Sequence, residues 1–186
     1  MGLIRLVYAS EATFAEQPDE QGIEPHVGRI LMASRRNNPT LGLVGGLYYG
    51  DGHFFQCLEG ESGKVHDLYN RIRDDDRHRK VTLLLEEPID DYAFEDWSMK
   101  YVPLETSVTS FLNQRGLESF DPFAFDAATT RAMVHLMRRE SDRAPTMGAA
   151  KSLAADSAPA GMARAGLVAV AVVIVVVAIA ASWFLV

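Results

Sequence analysis

The chain has 186 residues, 48% of them hydrophobic, and a formal net charge of −7 at pH 7. That length suits one domain of about 100–150 residues with additions. The acidic balance argues against a nucleic-acid-binding surface. The single cysteine, Cys57, excludes an internal disulfide and suits a reducing compartment, and the five scattered histidines offer no metal-ligand spacing.

Charge is spread unevenly. Residues 131–164 carry six basic and three acidic side chains and residues 165–186 carry none, so the acidity belongs to residues 1–130. In chain order, Leu3–Ser10 alternates as a strand, with Ile4, Leu6 and Tyr8 on one face. Ile23–Arg36 has the apolar spacing of an amphipathic helix, carrying Val27, Ile30, Leu31 and Ser34. Asn37-Asn38 is its end, with Pro39 as the stop signal. Leu41–Tyr49 and His53–Glu59 read as two strands, and the short Gly50-Asp51-Gly52 link makes them a hairpin. Lys64–Arg73 is a second helix, with Val65, Leu68, Tyr69 and Ile72 at helical spacing. Val81–Glu87 is a fourth strand stopped by Pro88, and Asp96–Val102 is a fifth, with Trp97, Met99 and Tyr101 on one face.

The order β-α-β-β-α-β-β predicts an α+β sandwich of ferredoxin-like type. After Pro103 the pattern turns helical. Ser107–Arg115 is a short helix, and Asp126–Glu140 a longer one with Ala127, Thr130, Val134 and Met137 in one stripe. These helices cap the second face of the sheet or mediate self-association. The predicted organisation is a domain over 1–102, capping helices over 103–140 and a Pro/Ala/Ser/Gly-rich linker over 141–163. Ala165–Val186 is then a membrane span. Its 22 uncharged residues would make a helix of about 33 Å, enough for a hydrocarbon core of about 30 Å. The basic residues before it favour a single pass with the N-terminal domain in the cytoplasm, as in a bacterial inner membrane.

Gln56 is the odd residue. Alternation places Phe54, Gln56 and Leu58 on one face, which buries an amide among apolar groups. An unpaired buried amide costs about 1–3 kcal/mol, so Gln56 requires a partner. A core glutamine bonded to backbone satisfies this; a functional site does so equally.

The motifs Arg5-Leu6-Val7-Tyr8-Ala9-Ser10, Ser34-Arg35-Arg36-Asn37-Asn38, Tyr49–Gly60, Asp74–Arg79 and Asp96-Trp97-Ser98-Met99, in this order, resemble the BLUF family of blue-light sensors that use FAD. The likeness covers roughly residues 3–102. Val44 departs from it where the family often has Thr, and Cys57 lies at a position where the family varies. The resemblance implies a flavin, FAD with FMN as the alternative, lying between the two helices against the sheet. It implies that the Tyr8 hydroxyl bonds Gln56, that Gln56 bonds the flavin, and that Asn37 and Asn38 meet the ring edge with Ile30 and Ser34 in the same pocket. Arg71, Arg77 and His78 match positions near the cofactor's polar tail, where cations would meet phosphate; their other reading is a solvated basic stretch.

The implied photochemistry is transfer of an electron and a proton from Tyr8, followed by rearrangement of Gln56 and a red-shifted flavin band. Trp97 and Met99 would carry the change onward. No enzymatic output is expected, and the dinucleotide-binding glycine fingerprint is absent. Output would pass through an unidentified downstream protein, a change in homo-oligomer contacts or the membrane helix. The competing reading is a light-inactive, tail-anchored interaction module on a ferredoxin-like scaffold.

Overall fold

Two strands lie at the centre of the sheet and are buried on both faces, which decides where polar groups can sit. The computed structural model describes residues 2–15, 24–94, 100–101 and 105–143. The elements are β1 (Leu3–Ala12), α1 (Pro25–Leu41), β2 (Val44–Gly50), β3 (His53–Glu61), α2 (Ser62–Arg73), β4 (His78–Pro88), β5 (Lys100–Tyr101), α3 (Glu105–Gln114) and α4 (Ala127–Arg143), with one turn of 3-10 helix at Pro122–Ala124. The sheet order is β4-β1-β3-β2-β5. Four strands form an antiparallel ferredoxin-like sheet, and the two-residue β5 adds in parallel to β2.

The flanking layers follow from side-chain alternation. Leu6 and Tyr8 of β1 and Phe54 and Leu58 of β3 pack against Val27, Ile30 and Leu31 of α1 and Val65 of α2. On the opposite face, Val7, Phe55 and Cys57 pack against Phe111 and Leu112 of α3 and Met133, Val134 and Met137 of α4. The C-terminal helices therefore cover the second face of the sheet. Thr130, Val134 and Met137 of the predicted stripe are buried, Ala127 is exposed, and Met133 and Leu136 join the stripe instead. Gly46 permits close contact here. A Cβ at that position would come within 3.0 Å of Met137 Cε and a Phe94 ring carbon.

Three of the boundaries that differ from the sequence reading bear on the site. First, α1 does not stop before Pro39. It continues to Leu41 and ends at Gly42 in the left-handed conformation (φ 66°), with Gly42 N–H donating to Pro39 O and Leu43 N–H to Asn38 O. This paired closure suits a glycine and holds the last turn together despite the proline. It keeps Asn37 and Asn38 inside the helix. At the other end, Glu24 takes the cap position and accepts from Val27 N–H, with Pro25 in the first turn. Second, β2 begins at Val44, because Leu41 to Leu43 serve the helix end. Third, β4 begins at His78, three residues early, which places His78 on the sheet. Trp97, Met99, most of the predicted linker and the predicted span over 165–186 lie outside the described residues. Among the described residues no helix is long and apolar enough to cross a membrane.

On the second face the central strands bury charge. Glu59 of β3 is fully buried; it accepts from Arg5 Nε at 2.7 Å and from Ala93 N–H at 2.6 Å. Arg5 Nη1 also reaches Glu87 of β4 at 3.2 Å, and Glu87 accepts from Arg131 of α4 at 2.8 Å. Removing one member of a buried pair strands the other and costs about 3–5 kcal/mol. Arg5 retains Glu87, so Glu59→Gln is expected to lower unfolding free energy by about 2–3 kcal/mol, below the full range for a buried pair. Urea denaturation at neutral pH checks this; a loss under about 0.5 kcal/mol, the scale of a neutral surface change, would contradict the role.

Candidate functional site

The β1–β3 register sets Tyr8 opposite Gln56. Both side chains point to the α1/α2 side, and neither is reached by water (0% and 2% exposed). The Tyr8 hydroxyl donates to Gln56 Oε1. Burial pushes the Tyr8 phenol far above its ordinary range, with Asp75 and Tyr69 adding to the shift and Arg77 opposing it. Tyr8 is therefore a neutral donor at any physiological pH, and the amide turns its carbonyl toward it.

β4 is irregular beside this pair. Val7 pairs with Leu85 but Tyr8 with Leu83, so one extra residue of β4 bulges opposite the Val7–Tyr8 step. A second shift lies between Ala9 and Glu11, next to Lys80 at φ 55°. Bulges of this kind bend an edge strand and re-aim its side chains.

Above Tyr8 and Gln56 lies a cavity of about 200 Å³ between α1 and α2. The structure brings together all nine residues that the sequence assigned to cofactor contact. Ile30, Ser34, Asn37 and Asn38 reach the cavity from α1, Arg71 from α2, Arg77 and His78 from the start of β4, and Tyr8 and Gln56 from the floor. Asn38 is 2% exposed, whereas Asn37 and Arg71 are at the surface. The other two expected photoactive residues, Trp97 and Met99, lie outside the described residues.

The cationic end differs from the sequence expectation. His78 is buried, and its Nδ1 shares a hydrogen bond with Ser10 Oγ at 2.8 Å. Burial lowers its pKa to about 4; Asp75 works against this shift and Arg77 with it. His78 is thus neutral near pH 7 and supplies a hydrogen-bonding ring, not a charge. Arg77 is held by Asp75, which accepts from Arg77 Nε at 2.8 Å as well as from its terminal nitrogen and backbone N–H. The hydrogen bond from Arg77 holds the Asp75 carboxyl below its usual range. The reading as a solvated basic stretch fails for His78.

Sequence reasoning missed several lining residues. Leu68 and Ile72 of α2 form an apolar wall, and Asp75 is the acid of the cavity. The two apolar residues were visible as the α2 stripe. Asp75 was hidden in the run Asp74-Asp75-Asp76, where only its spacing to Arg77 distinguishes it. Cys57 faces the other layer, away from the cavity, and burial pushes its thiol well up.

The donor set matches a flavin. Buried amides complement a ring edge that both donates and accepts, apolar side chains flank the ring faces, and arginine is available to an anionic tail. Comparison with known proteins agrees. Residues 3–100 match the family model described as sensors of blue light using FAD. The photo-activated state of BlsA superposes with a TM-score of 0.65 at 33% identity, over 73% of this chain and 94% of that one. The dark state of BlrB, a BLUF protein, gives 0.57 at 26% identity, over 76% and 97%. Among curated proteins, the alpha subunit of photoactivated adenylate cyclase from Euglena gracilis is 36% identical over 92 residues, which is 50% of this chain but 8% of that protein. The beta subunit from Euglena longa is 28% identical over 107 residues, 58% of this chain and 12% of its own length. The chain thus spans only a small part of these curated relatives, and the cyclase activity in their names is theirs. The chain belongs to the BLUF family, whose flavin-binding blue-light sensor domain it carries over residues 3–100.

Proposed function

We propose that this sensor works through Tyr8 and Gln56 as a proton-coupled redox pair, with output by altered protein contacts and no turnover of a substrate. The observation that carries the reading is the buried, direct Tyr8–Gln56 hydrogen bond at the floor of the cavity. A bound flavin, FAD or FMN, supplies the light absorption and the one-electron oxidising power. Tyr8 supplies the electron. An oxidised phenol becomes a strong acid, and the only place its proton can go is along the existing bond to the Gln56 carbonyl oxygen. Taking up that proton changes which end of the amide donates, so Gln56 rearranges and presents a different hydrogen-bonding pattern to the cavity. Ile30, Leu68 and Ile72 keep water away during this exchange. Asn38 fixes the ring edge, with Asn37 beside it near the surface.

The cavity, at about 200 Å³, is smaller than the about 300–1,000 Å³ of most ligand pockets. Ile30, Asn38 and Leu68 would hold the ring there, and Arg71 at the rim is the cation available to an anionic tail. Neutral His78 would border the bound group as a hydrogen-bonding ring and supply no charge. For output, the contacts of the sheet's second face with α3 and α4 make those helices the surface that a downstream protein or a second copy would sense. We further propose that residues 165–186 anchor the sensor to a membrane; the support is their uncharged length.

Purified protein is expected to be yellow, with a flavin band that shifts reversibly to the red in blue light. Tyr8→Phe and Gln56→Leu are each expected to retain flavin and lose the shift, as read by dark and lit absorption spectra. A full shift in either variant would refute the assigned role.

The neutral state of His78 predicts a pH dependence. With a folded pKa of about 4 against an ordinary 6.5, the unfolded chain binds the extra proton between these values. His78 therefore contributes no pH dependence above about pH 6.5, and stability falls below it by up to about 1.4 kcal/mol per unit. In flavin-free protein, denaturation midpoints from pH 7 to 5 should fall less steeply in His78→Gln than in wild type. Equal slopes would refute the burial argument. Deleting Gly166–Val186 should release the protein from membranes on fractionation while leaving the red shift intact; continued pelleting would refute the anchor.

A further inference from the structure

Tyr8 has a second phenol against its ring. Tyr69 of α2 packs on it with centroids 5.5 Å apart and planes inclined by 52°. Among the described residues the other ring against Tyr8 is His78, 6.4 Å away, and a neutral imidazole is the harder of the two to oxidise. Tyr69 differs from Tyr8 in two respects. It is half-buried, so its hydroxyl has a route to water, whereas Tyr8 has none. It also lies outside the cavity lining, so Tyr8 stands between it and the space above Gln56.

We propose that Tyr69 is a redox relay for Tyr8, an exit by which the oxidising equivalent reaches the protein surface. The inference rests on the photochemistry proposed above. After one electron has passed from Tyr8 to the light-excited flavin and the Tyr8 proton to Gln56, Tyr8 is a neutral phenoxyl radical. An electron then moves from Tyr69 to Tyr8 across the ring contact. Tyr8 recovers its proton from the Gln56 side, and the O–H bond broken in the first step forms again. Tyr69 loses its own hydroxyl proton to water and becomes the phenoxyl radical. In net terms Tyr69 gives up one electron, to the oxidising power a bound flavin would supply, and one proton, to solvent. The relay competes with return of the electron to Tyr8. It makes α2 the place where prolonged light leaves an oxidative mark and where external reductants can enter.

Trapping locates the radical chemically. Full-length protein is illuminated with blue light in the presence of a nitroso spin trap, digested with trypsin and analysed by mass spectrometry. Tyr69 is the single tyrosine of the peptide Val65–Arg71, and Tyr8 that of Leu6–Arg29. The adduct is expected on Val65–Arg71 in wild type and at least tenfold lower in Tyr8→Phe, which removes the first donor. Tyr69→Phe preserves ring packing, with folding checked by thermal melting, and should remove that adduct. Tyr69→Trp restores an oxidisable ring and should restore labelling of the same peptide. Undiminished Tyr69 adduct in Tyr8→Phe means direct oxidation and overturns the relay. A red-shifting wild type labelled only on Leu6–Arg29, or on neither peptide, overturns the relay while leaving the sensor reading intact. A protein that binds no flavin overturns both.

Discussion

The β1–β3 register is the constraint on which the site depends. Both strands run through the middle of the sheet with helices on each side, so a polar side chain in their central stretch is cut off from water and must find its partner within the protein. Setting Tyr8 opposite Gln56 meets that requirement with one bond. A shift of one residue would send every side chain of a strand to the other face, placing Gln56 among the residues that meet α4 and Cys57 under the cavity. The same physics governs the second face, where Glu59 is satisfied by Arg5 and the Ala93 N–H. One strand thus carries the amide bonded to Tyr8 on one side and a structural carboxylate on the other, three residues apart.

Much of this was legible in the sequence because the periodicities are strong. Two-residue alternation in β1 and β3 fixed which side chains share the Tyr8 face. The α2 stripe gave the opposite wall, and the family motifs supplied residues that no periodicity distinguishes, such as Asn38 and Arg71. What was illegible has local causes. Pro39 is a sound stop signal in isolation, but the Gly42 closure and burial of Leu43 outweigh the one backbone bond that a proline removes. The early start of β4 could not be read because Arg77-His78-Arg79-Lys80 has no alternation of apolar residues. Its charge state was misjudged for the same reason. His78 looked like a cation among cations, and only its depth beside Phe54 and Ser10 makes it neutral.

The electrostatics of the cavity favour a neutral ring environment bounded by fixed charge. Asp75 and Arg77 neutralise each other through a forked contact, Tyr8, Gln56, Asn38 and His78 are uncharged at neutral pH, and Arg71 carries its charge at the surface. In low-dielectric surroundings a nearby unpaired charge would shift the energy of any charge-separated state by several kcal/mol. Pairing Asp75 with Arg77 keeps that field small and short-ranged. On the mechanism proposed above, electron and proton transfer from Tyr8 would meet little opposing field from this pair.

The two faces of the sheet are joined by backbone, not by a gap through which side chains could meet. Phe55 and Cys57, the immediate neighbours of Gln56 in β3, are core residues of the α3/α4 layer. On the proposed mechanism, a rearranged amide that pulled on its own backbone would displace groups already in contact with the C-terminal helices, because close-packed interiors have low compressibility and transmit strain. Gly46 makes the contact tighter still, since α4 and Phe94 rest against a position with no side chain. Glu59 adds a polar tie from the same strand to Ala93, and Glu87 one from β4 to Arg131 of α4. The Glu87–Arg131 contact is partly exposed and energetically small. The apolar contacts of Phe55 and Cys57 are therefore the stronger link between the photochemical face and the helices that a partner would read.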